Sequence, residues 1–319
     1  MDILSNNPNI DKLIPHKKDT IPVTELVEYF KAVRDAYDCD WYIDLCESIE
    51  CNLCFHPAQP YYNWDRLERK EKGNKNYYEE TFEFAKKQMP ESFRGFDNYK
   101  PTQETLRPDI YFTEEEEEQN TRFRSKFLGK KIIVWGLSGS ALHKSYPYTH
   151  MVMSEILDKY PDVVFITIGD DKCEILEQAL RHERVIHKSN KWSFREAMCM
   201  VKHAYALVCP DTGILHSSGA WDKPKIGLLT CTSITNITKY FTNDYSLEAD
   251  VPCAPCYRLI YSADMQCPVD KDKNGEGLCA PFCNAYGISP ITISDIIKHI
   301  FTKDRKERYE QAKKELIDA

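Results

Sequence analysis

Two loops in the second half of the chain combine residue types that bind phosphate. The first, residues 136–144, contains Ser138, Gly139, Ser140 and Lys144. Small residues let a backbone approach a phosphate closely, hydroxyl groups can donate hydrogen bonds to it, and a lysine supplies a positive charge. Because the glycine and Ser/Thr that flank a Walker lysine are missing, we predict a phosphate site of another kind.

The second loop contains Asp211, Thr212, Gly213 and His216, directly after the apolar run at residues 206–209. Thr212 stands where a side chain caps the following helix, Gly213 allows close approach, and His216 lies about one turn further on. A helix N-terminus stabilises an anion by about 0.3–2 kcal/mol. Taken alone, the segment is better explained by an ordinary strand-to-helix turn with a buried histidine.

A third group of residues has the spacing of a metal site. Cys253 and Cys256 form a Cys-x-x-Cys pair, and Cys267, Cys279 and Cys283 follow. Two thiolates at this spacing can reach one ion at about 2.3 Å, and later cysteines can complete a tetrahedron. We interpret Cys253, Cys256 and Cys267 as ligands of a structural iron or zinc ion, with either Cys279 or Cys283 as the fourth.

Alternating strands and helices must position the two loops. Short apolar runs predict strands at residues 131–136, 163–168, 184–187, 206–209 and 224–229. Helices are predicted between them at residues 148–159, 174–181 and 193–205, the last beginning with the capping box Ser193 and Glu196. The strands are apolar throughout, so both faces are buried, which predicts a parallel sheet covered by helices.

The remaining segments are less regular. Residues 41–45 predict a strand that ends near the carboxylate Asp44. Helices are predicted at residues 24–36, at 77–87, after the cap Thr113 where residues 114–118 are acidic, and, as one or two helices interrupted near residue 302, at 294–319. We therefore divide the chain into domains at residues 1–120, 121–250, 251–288 and 289–319.

The two loops, together with Trp192 and the helix start at Ser193, resemble the C-terminal domain of glycosyltransferase family nine, the heptosyltransferases. The resemblance covers about residues 125–260, and Asp-Thr-Gly-x-x-His at 211–216 is its most specific element. It implies an α/β fold of the GT-B type with two Rossmann-like domains. It also implies inverting transfer, without a metal, from a nucleotide-sugar donor such as ADP-heptose to a hydroxyl acceptor.

The resemblance also assigns residues. It places the donor on Ser138, Gly139, Ser140, Lys144, Asp211, Thr212, Gly213 and His216, with Trp192 at the base and Asp171 or Glu174 near the ribose. The cysteine segment resembles the four-cysteine iron-binding finger of bacterial autotransporter heptosyltransferases in position and type.

The family's catalytic carboxylate lies in the first strand-to-helix loop of the N-terminal domain, and residues 4–14 resemble a later segment of that domain. We therefore expect an incomplete N-terminal domain. Three explanations stay open. The chain is truncated before Met1, another carboxylate acts, for which Asp44 is our candidate, or the protein binds a donor without transferring its sugar. A non-catalytic binding or assembly module, and a metal-dependent interaction protein, are the alternative functions.

Composition limits the class of protein and its partners. With 319 residues, 42% of them hydrophobic, the chain can form two packed domains. A net charge of -8 argues against a nucleic-acid partner, and no apolar run is long enough to span a membrane. Lacking a signal-like start, the chain is expected to be cytoplasmic, with a saccharide, lipid-linked or protein acceptor. Self-association stays open.

The 13 cysteines favour metal ligation or buried thiols over disulfides in such a chain. One further group is better explained by free thiols than by a metal site: Cys46, Cys51, Cys54 and the nearby His56.

Overall fold

The computed structural model describes residues 3–14, 25–37, 43, 66–90, 100–139, 144–257 and 282–318. Its strands are β1 Lys131–Gly136, β2 Val163–Ile168, β3 Val185–His187, β4 Ala206–Pro210, β5 Lys225–Leu229 and β6 Leu247–Glu248. They form one six-stranded sheet in the order β3-β2-β1-β4-β5-β6, and every pair is parallel. The predicted α/β class with a parallel sheet is confirmed.

Helices surround this sheet. In chain order they are α1 Leu26–Ala36, α2 Arg66–Gly73, α3 Tyr77–Gln88, α4 Glu114–Arg124, α5 Thr149–Lys159, α6 Cys173–Glu177, α7 Phe194–His203, α8 Gly213–Ser218, α9 Ile234–Ile237, α10 Phe282–Tyr286 and α11 Pro290–Asp318. Among the described residues, no helix combines the length and the apolar character needed to cross a membrane.

The order in which the strands are added to the sheet reverses at β1. One edge of β1 pairs with β2, with Lys131 opposite Val163, and the other pairs with β4, with Ile133 opposite Ala206. The chain therefore builds outward through β2 and β3, then crosses back to β4 and builds outward the other way. Open parallel sheets bind ligands where the strand order reverses, so the loops after β1 and β4 begin side by side at this position.

Strand β1 contributes to a core on each face of the sheet because successive side chains point to opposite faces. Ile133 and Trp135 belong to the core beneath α5 and α11, whereas Ile132 and Val134 belong to the core beneath α7. This explains why the strand is apolar throughout, and it fixes the register that places the following loop.

The C-terminal segment forms one helix, α11, and is not interrupted near residue 302. The first half of the helix is held by the core, to which Ile293, Ile297 and Phe301 belong. The Phe301 ring packs against the Tyr160 ring at 4.8 Å between centroids. The Thr302 hydroxyl donates to the Lys298 carbonyl oxygen at 2.9 Å, so it satisfies the helix backbone and does not break it.

Before residue 131, the described residues contain helices and no strand. The predicted strand at 41–45, including Asp44, lies outside the described residues except for residue 43, so the expected N-terminal sheet is not tested there. The capping box at Thr113 is present, and α4 extends past the predicted domain boundary at residue 120. Arg195 on α7 donates to Glu116 on α4 at 2.7 Å, which joins this segment to the sheet domain.

A buried lysine holds the connection into β5. The Lys225 ammonium donates to the carbonyl oxygens of Trp221, at 2.9 Å, and Thr242, at 2.7 Å, and the side chain has no exposed surface. Burial lowers the pKa of Lys225 to about 8, although the charges of Asp244 and Asp222 act in the opposite direction.

We expect Lys225→Met to change the response of stability to alkaline pH. The unfolded chain keeps the lysine proton up to about pH 10.4, whereas the folded chain releases it near pH 8. Between these values the unfolded state binds more protons, so the stability of the wild type rises relative to the variant, by at most about 3 kcal/mol. Urea unfolding at about pH 7 and about pH 10 measures this gain in stability. If the free energy of unfolding differs between the wild type and the variant by the same amount at both pH values, the prediction is wrong.

Candidate functional site

A cavity of about 530 Å³ opens at the carboxyl ends of β1, β2 and β4. It is lined by Tyr77, Gly136, Ser138, Gly139, Lys144, Ile168, Gly169, Asp170, Lys188, Trp192, Ser193, Phe194, Ala197, Asp211, Thr212, Gly213, Ile214 and His216. The volume lies within the roughly 300–1,000 Å³ of small-molecule sites. Both loops predicted to bind phosphate therefore meet in one cavity.

Asp211 is the centre of the hydrogen bonds that shape the part of the cavity where the loops after β1 and β4 meet. Its Oδ1 lies 3.1 Å from His216 Nε2, and its Oδ2 accepts from the Thr232 hydroxyl at 3.3 Å. Its backbone carbonyl accepts from the Lys144 ammonium at 2.9 Å. Burial raises the pKa of Asp211, but the hydrogen bond from His216 and the charge of Lys144 outweigh burial and bring the pKa below its ordinary value.

The loop after β1 packs closely against the loop after β4. A Cβ atom at Gly139 would lie 2.9 Å from the Thr212 methyl carbon and 3.0 Å from Lys144 Cδ, so a larger residue would push the loops apart. Ser138 also lines the cavity, whereas Ser140 lies outside the described residues. The glycine therefore has the role of close approach that the sequence predicted.

Thr212 occupies the N-cap position of α8, but its side chain makes no capping hydrogen bond, so the expectation that it caps the helix is wrong. The reason is geometric, since the Thr212 methyl group packs toward Gly139 across the two loops. Thr212 and Gly213 both line the cavity. The N–H groups at the start of α8 are thus not capped by the Thr212 side chain.

Trp192 forms the opposite end of the cavity. Its ring meets the Phe123 ring edge-on at 5.0 Å between centroids, and the Lys188 ammonium lies 5.1 Å from its centroid. Burial lowers the pKa of Lys188, and the neighbouring charges of Lys126 and Lys191 lower it further. An aromatic face beside a cation is suited to stacking on a planar, electron-rich group.

The residues expected at the ribose lie differently from the prediction. Asp171 and Glu174 are exposed and do not line the cavity, and the Asp171 carboxylate accepts from the Lys172 backbone N–H at 3.0 Å. The preceding residue, Asp170, lines it instead and accepts from the Cys173 N–H at 3.2 Å. Strand β2 ends at Ile168, so the first acidic residue after the strand reaches the site and the next one has turned away.

Two other lining residues escaped the sequence analysis. Lys188 follows β3 directly, and the rule that ligands bind at strand ends would have identified it. Tyr77 begins α3, far away in sequence, and its ring lies parallel to the His216 ring at 6.2 Å between centroids with 5° between the planes. No local pattern at Tyr77 indicates this contact.

Buried hydrogen bonds hold α3 in place beside the cavity. Asn76 caps α3, accepting from the Tyr78 N–H at 3.1 Å, and its amide donates to the Thr235 carbonyl at 3.0 Å. In return, the Asn236 amide donates to the Lys75 carbonyl at 2.6 Å. Tyr77 is consequently a fixed wall of the site.

A buried carboxylate, Glu177, holds the segment that carries Lys188 into the cavity. One of its oxygens, Oε1, accepts from the Thr167 hydroxyl at 2.6 Å and from the Ser189 hydroxyl at 2.7 Å. The same oxygen accepts from the backbone N–H groups of Lys188, at 3.2 Å, and Ser189, at 3.0 Å. Glu177 therefore joins β2, α6 and the turn after β3.

We expect Glu177→Ala to destabilise the fold by at least about 3 kcal/mol, because several buried donors lose their acceptor at once. Glu177→Gln keeps an acceptor oxygen and should cost less, about 1–2 kcal/mol. The matched control is Glu174→Ala on the exposed side of the same helix, with an expected change within about 0.5 kcal/mol. Urea unfolding measures all three, and equal effects for the two alanine variants would show that Glu177 has no such role.

The cysteine segment is described only in part. Cys253, Cys256 and Cys283 are partly exposed, whereas Cys267 and Cys279 lie outside the described residues. The ends of the segment meet, because the Asp250 N–H donates to the Gly287 carbonyl at 2.8 Å. Cys46, Cys51, Cys54, His56 and the candidate base Asp44 also lie outside the described residues.

Comparisons with known proteins identify the family and the fold of the chain. A family model described as glycosyltransferase family 9 (heptosyltransferase) matches residues 63–264, which is more than half of the chain. No curated protein matches the sequence significantly.

Solved structures are also similar to the chain. A family 9 glycosyl transferase from Veillonella parvula DSM 2008 has a TM-score of 0.55 and 15% identity, covering 77% of this chain and 74% of that one. This likeness supports the fold alone. ADP-heptose lipopolysaccharide heptosyltransferase II of E. coli has a TM-score of 0.46 and 13% identity, covering 62% of this chain. The match spans 54% of that enzyme, about half its length.

Proposed function

The chain belongs to glycosyltransferase family 9, and we propose that it transfers a heptose-like sugar, with inversion, from a nucleotide-diphosphate sugar to a hydroxyl group. One observation carries the proposal. Lys144 after β1 and the loop 211–213 after β4 meet in one cavity at the reversal of the sheet. A cation beside the start of a helix is suited to a diphosphate.

The order of the strands gives the donor a direction, because Trp192 follows β3 and Gly213 follows β4, on the other side of β2 and β1. We place the diphosphate between Lys144 and Gly213, and the base at Trp192. The ribose then falls near Asp170, and this replaces the assignment to Asp171 or Glu174. Lys188 lies beside Trp192, so it contributes positive charge at the nucleotide end.

In the proposed reaction, the acceptor oxygen forms a bond to the sugar carbon while the bond from that carbon to the diphosphate breaks. Negative charge grows on the departing diphosphate. Lys144 and the N–H groups at the start of α8 stabilise that charge more strongly in the transition state than in the bound donor. Because these groups are held by Asp211 and Gly139, little reorganisation is needed during the reaction.

A carboxylate must accept the acceptor proton, and Asp211 is poorly suited to do so. Both of its oxygens have partners, His216 and Thr232, and its pKa lies below the ordinary value. We therefore assign Asp211 to positioning, and keep Asp44 as the proposed base. The acceptor is a saccharide, a lipid-linked saccharide or a protein hydroxyl.

Lys144→Ala should weaken binding of ADP by about 10-fold to 100-fold, because one charge-assisted contact to phosphate is lost. His216→Ala should weaken it as well, by loosening the loop at Asp211. The control is Lys172→Ala, which removes an exposed lysine outside the cavity and should leave affinity unchanged. Calorimetric titration measures binding, and circular dichroism verifies the fold.

Unchanged affinity in Lys144→Ala would overturn the site assignment. Release of ADP from ADP-heptose, with and without acceptor sugars, tests transfer separately. Tight binding of the donor without its turnover under any acceptor would indicate a non-catalytic binding module.

We further propose that Cys253, Cys256 and Cys267, with Cys279 or Cys283, hold a structural iron or zinc ion. The contact between Asp250 and Gly287 supports this, because it brings the two ends of the segment together near Cys253 and Cys283. A four-thiolate site has no open position for a substrate, so the ion would stabilise the loop and take no part in transfer.

Removal of this ion by a chelator should make the 253–283 segment sensitive to protease while leaving ADP affinity unchanged. Cys253→Ser should have the same effect without the chelator, because a tetrahedral site loses one ligand. Cys173→Ser, a buried thiol far along the chain, is the control. Limited proteolysis followed by mass spectrometry gives the answer, and loss of ADP binding on chelation would contradict a purely structural ion.

A further inference from the structure

Helices α4 and α7 bring three metal-binding side chains together outside the donor cavity. One carboxylate oxygen of Glu117, the sulfur of Cys199 and a ring nitrogen of His203 all lie within 4.8 Å of one another. Cys199 and His203 are four residues apart, so they project from the same face of α7. Glu117 reaches them from α4. Neither the proposed transfer reaction nor the Cys253–Cys283 segment uses these residues.

We propose that Glu117, Cys199 and His203 bind a divalent ion of the zinc class, and that this ion fixes α4 on α7. Zinc is bound in proteins by thiolate sulfur, imidazole nitrogen and carboxylate oxygen together, whereas magnesium and calcium require oxygen ligands. Ligand atoms around a tetrahedral zinc ion are roughly 3.5 Å apart. The three ligand atoms, all within 4.8 Å of one another, lie near this spacing.

The hydrogen bonds around Glu117 are compatible with an ion. Oε2 of Glu117 lies 2.5 Å from His203 Nε2. Both atoms would bind the ion, and their contact with the ion would replace the hydrogen bond between them. Oε1 accepts from the Lys202 ammonium at 2.5 Å, so this cation would compete with an ion for the charge of the carboxylate. The Cys199 sulfur has only a weak contact, 3.8 Å from the Glu116 carbonyl oxygen.

Of the three ligands, His203 faces a cavity from which an ion can approach. His203 lines a second cavity, of about 390 Å³, between α4 and the start of β1. Arg124 lines the same cavity, and its charge opposes a cation. However, the Arg124 guanidinium donates to Asn120 at 2.8 Å and to Thr121 at 3.3 Å, so it is held on its own helix. Cys199 is almost fully buried, which protects the thiolate that the ion would bind.

The position of the site gives the ion a structural purpose. Phe123 lies in the last turn of α4, and its ring packs edge-on against Trp192, where we place the base of the donor. An ion shared by α4 and α7 would cross-link the segment before the sheet to the helix that follows Trp192. Its binding free energy would then stabilise the folded state.

The test uses the full chain carrying Cys253→Ser, Cys256→Ser, Cys267→Ser, Cys279→Ser and Cys283→Ser, so that the other cysteine segment does not contribute. Titration with cobalt chloride should give one bound ion with a sulfur-to-cobalt absorption band, and zinc chloride should raise Tm. Cys199→Ser should abolish the band, and His203→Gln should weaken binding by at least about 10-fold.

Lys202→Met is the matched control, because it removes the ion pair with Glu117 but none of the three ligands. It should bind cobalt as tightly as the parent chain, or more tightly. A network held only by ion pairs predicts the opposite pattern, with no stoichiometric cobalt in any variant and a lower Tm in Lys202→Met. Absence of the absorption band, or a band that survives Cys199→Ser, overturns the proposal. If Cys199→Ser does not fold, His203→Gln decides between the metal site and the network of ion pairs, because it alters only a partly exposed side chain. Unchanged cobalt binding in His203→Gln then overturns the proposal.

Discussion

The cavity at the carboxyl ends of β1, β2 and β4 depends on one carboxylate, Asp211, most of which is shielded from solvent. Asp211 contacts His216 on the following helix α8, and it joins that helix to Lys144 after β1 and to Thr232 after β5. A buried charge is costly unless it is fully paired, so these contacts are jointly required. The same contacts that make the burial of Asp211 tolerable also fix the positions of the groups that would meet a diphosphate. Stability and preorganisation of the site therefore have a common origin.

The cavity is not made by the parallel sheet alone. Its wall at Tyr77 comes from α3, which precedes the sheet and is attached through Asn76 and Asn236. Its far edge, at Trp192, rests on Phe123 from α4. These helices are held by buried amide contacts and aromatic edges, whereas the strands are held by backbone ladders. Side-chain changes in the segment before residue 131 can consequently alter the donor cavity without touching the strands.

Much of this arrangement follows from the sequence because continuous apolar runs that alternate with helices indicate a parallel sheet buried on both faces. Residues such as Val163 and Ile226 are buried on a sheet covered on both faces, and that pattern is local. The capping boxes at Thr113 and Ser193 are local as well. By contrast, Tyr77 could not be assigned, because its contact with His216 depends on the docking of α3. The sequence prediction chose Asp171 and not Asp170. The two carboxylates are adjacent in the turn after β2, and only the turn geometry decides which of them faces the cavity.

The geometry also separates two tasks that a transferase must perform. Among the described residues, the acids lining the cavity are Asp170 and Asp211. The contacts that position Asp211 lower its pKa. A carboxylate that holds the loop after β4 in this way is a weak base, so it is poorly suited to accept a proton as well. Asp170 follows β2, on the other side of β1 from the loop after β4, and already accepts from the Cys173 N–H. For the proposed transfer, we therefore expect a base for the acceptor from outside this lining, so that donor binding and proton removal would fall to different parts of the protein.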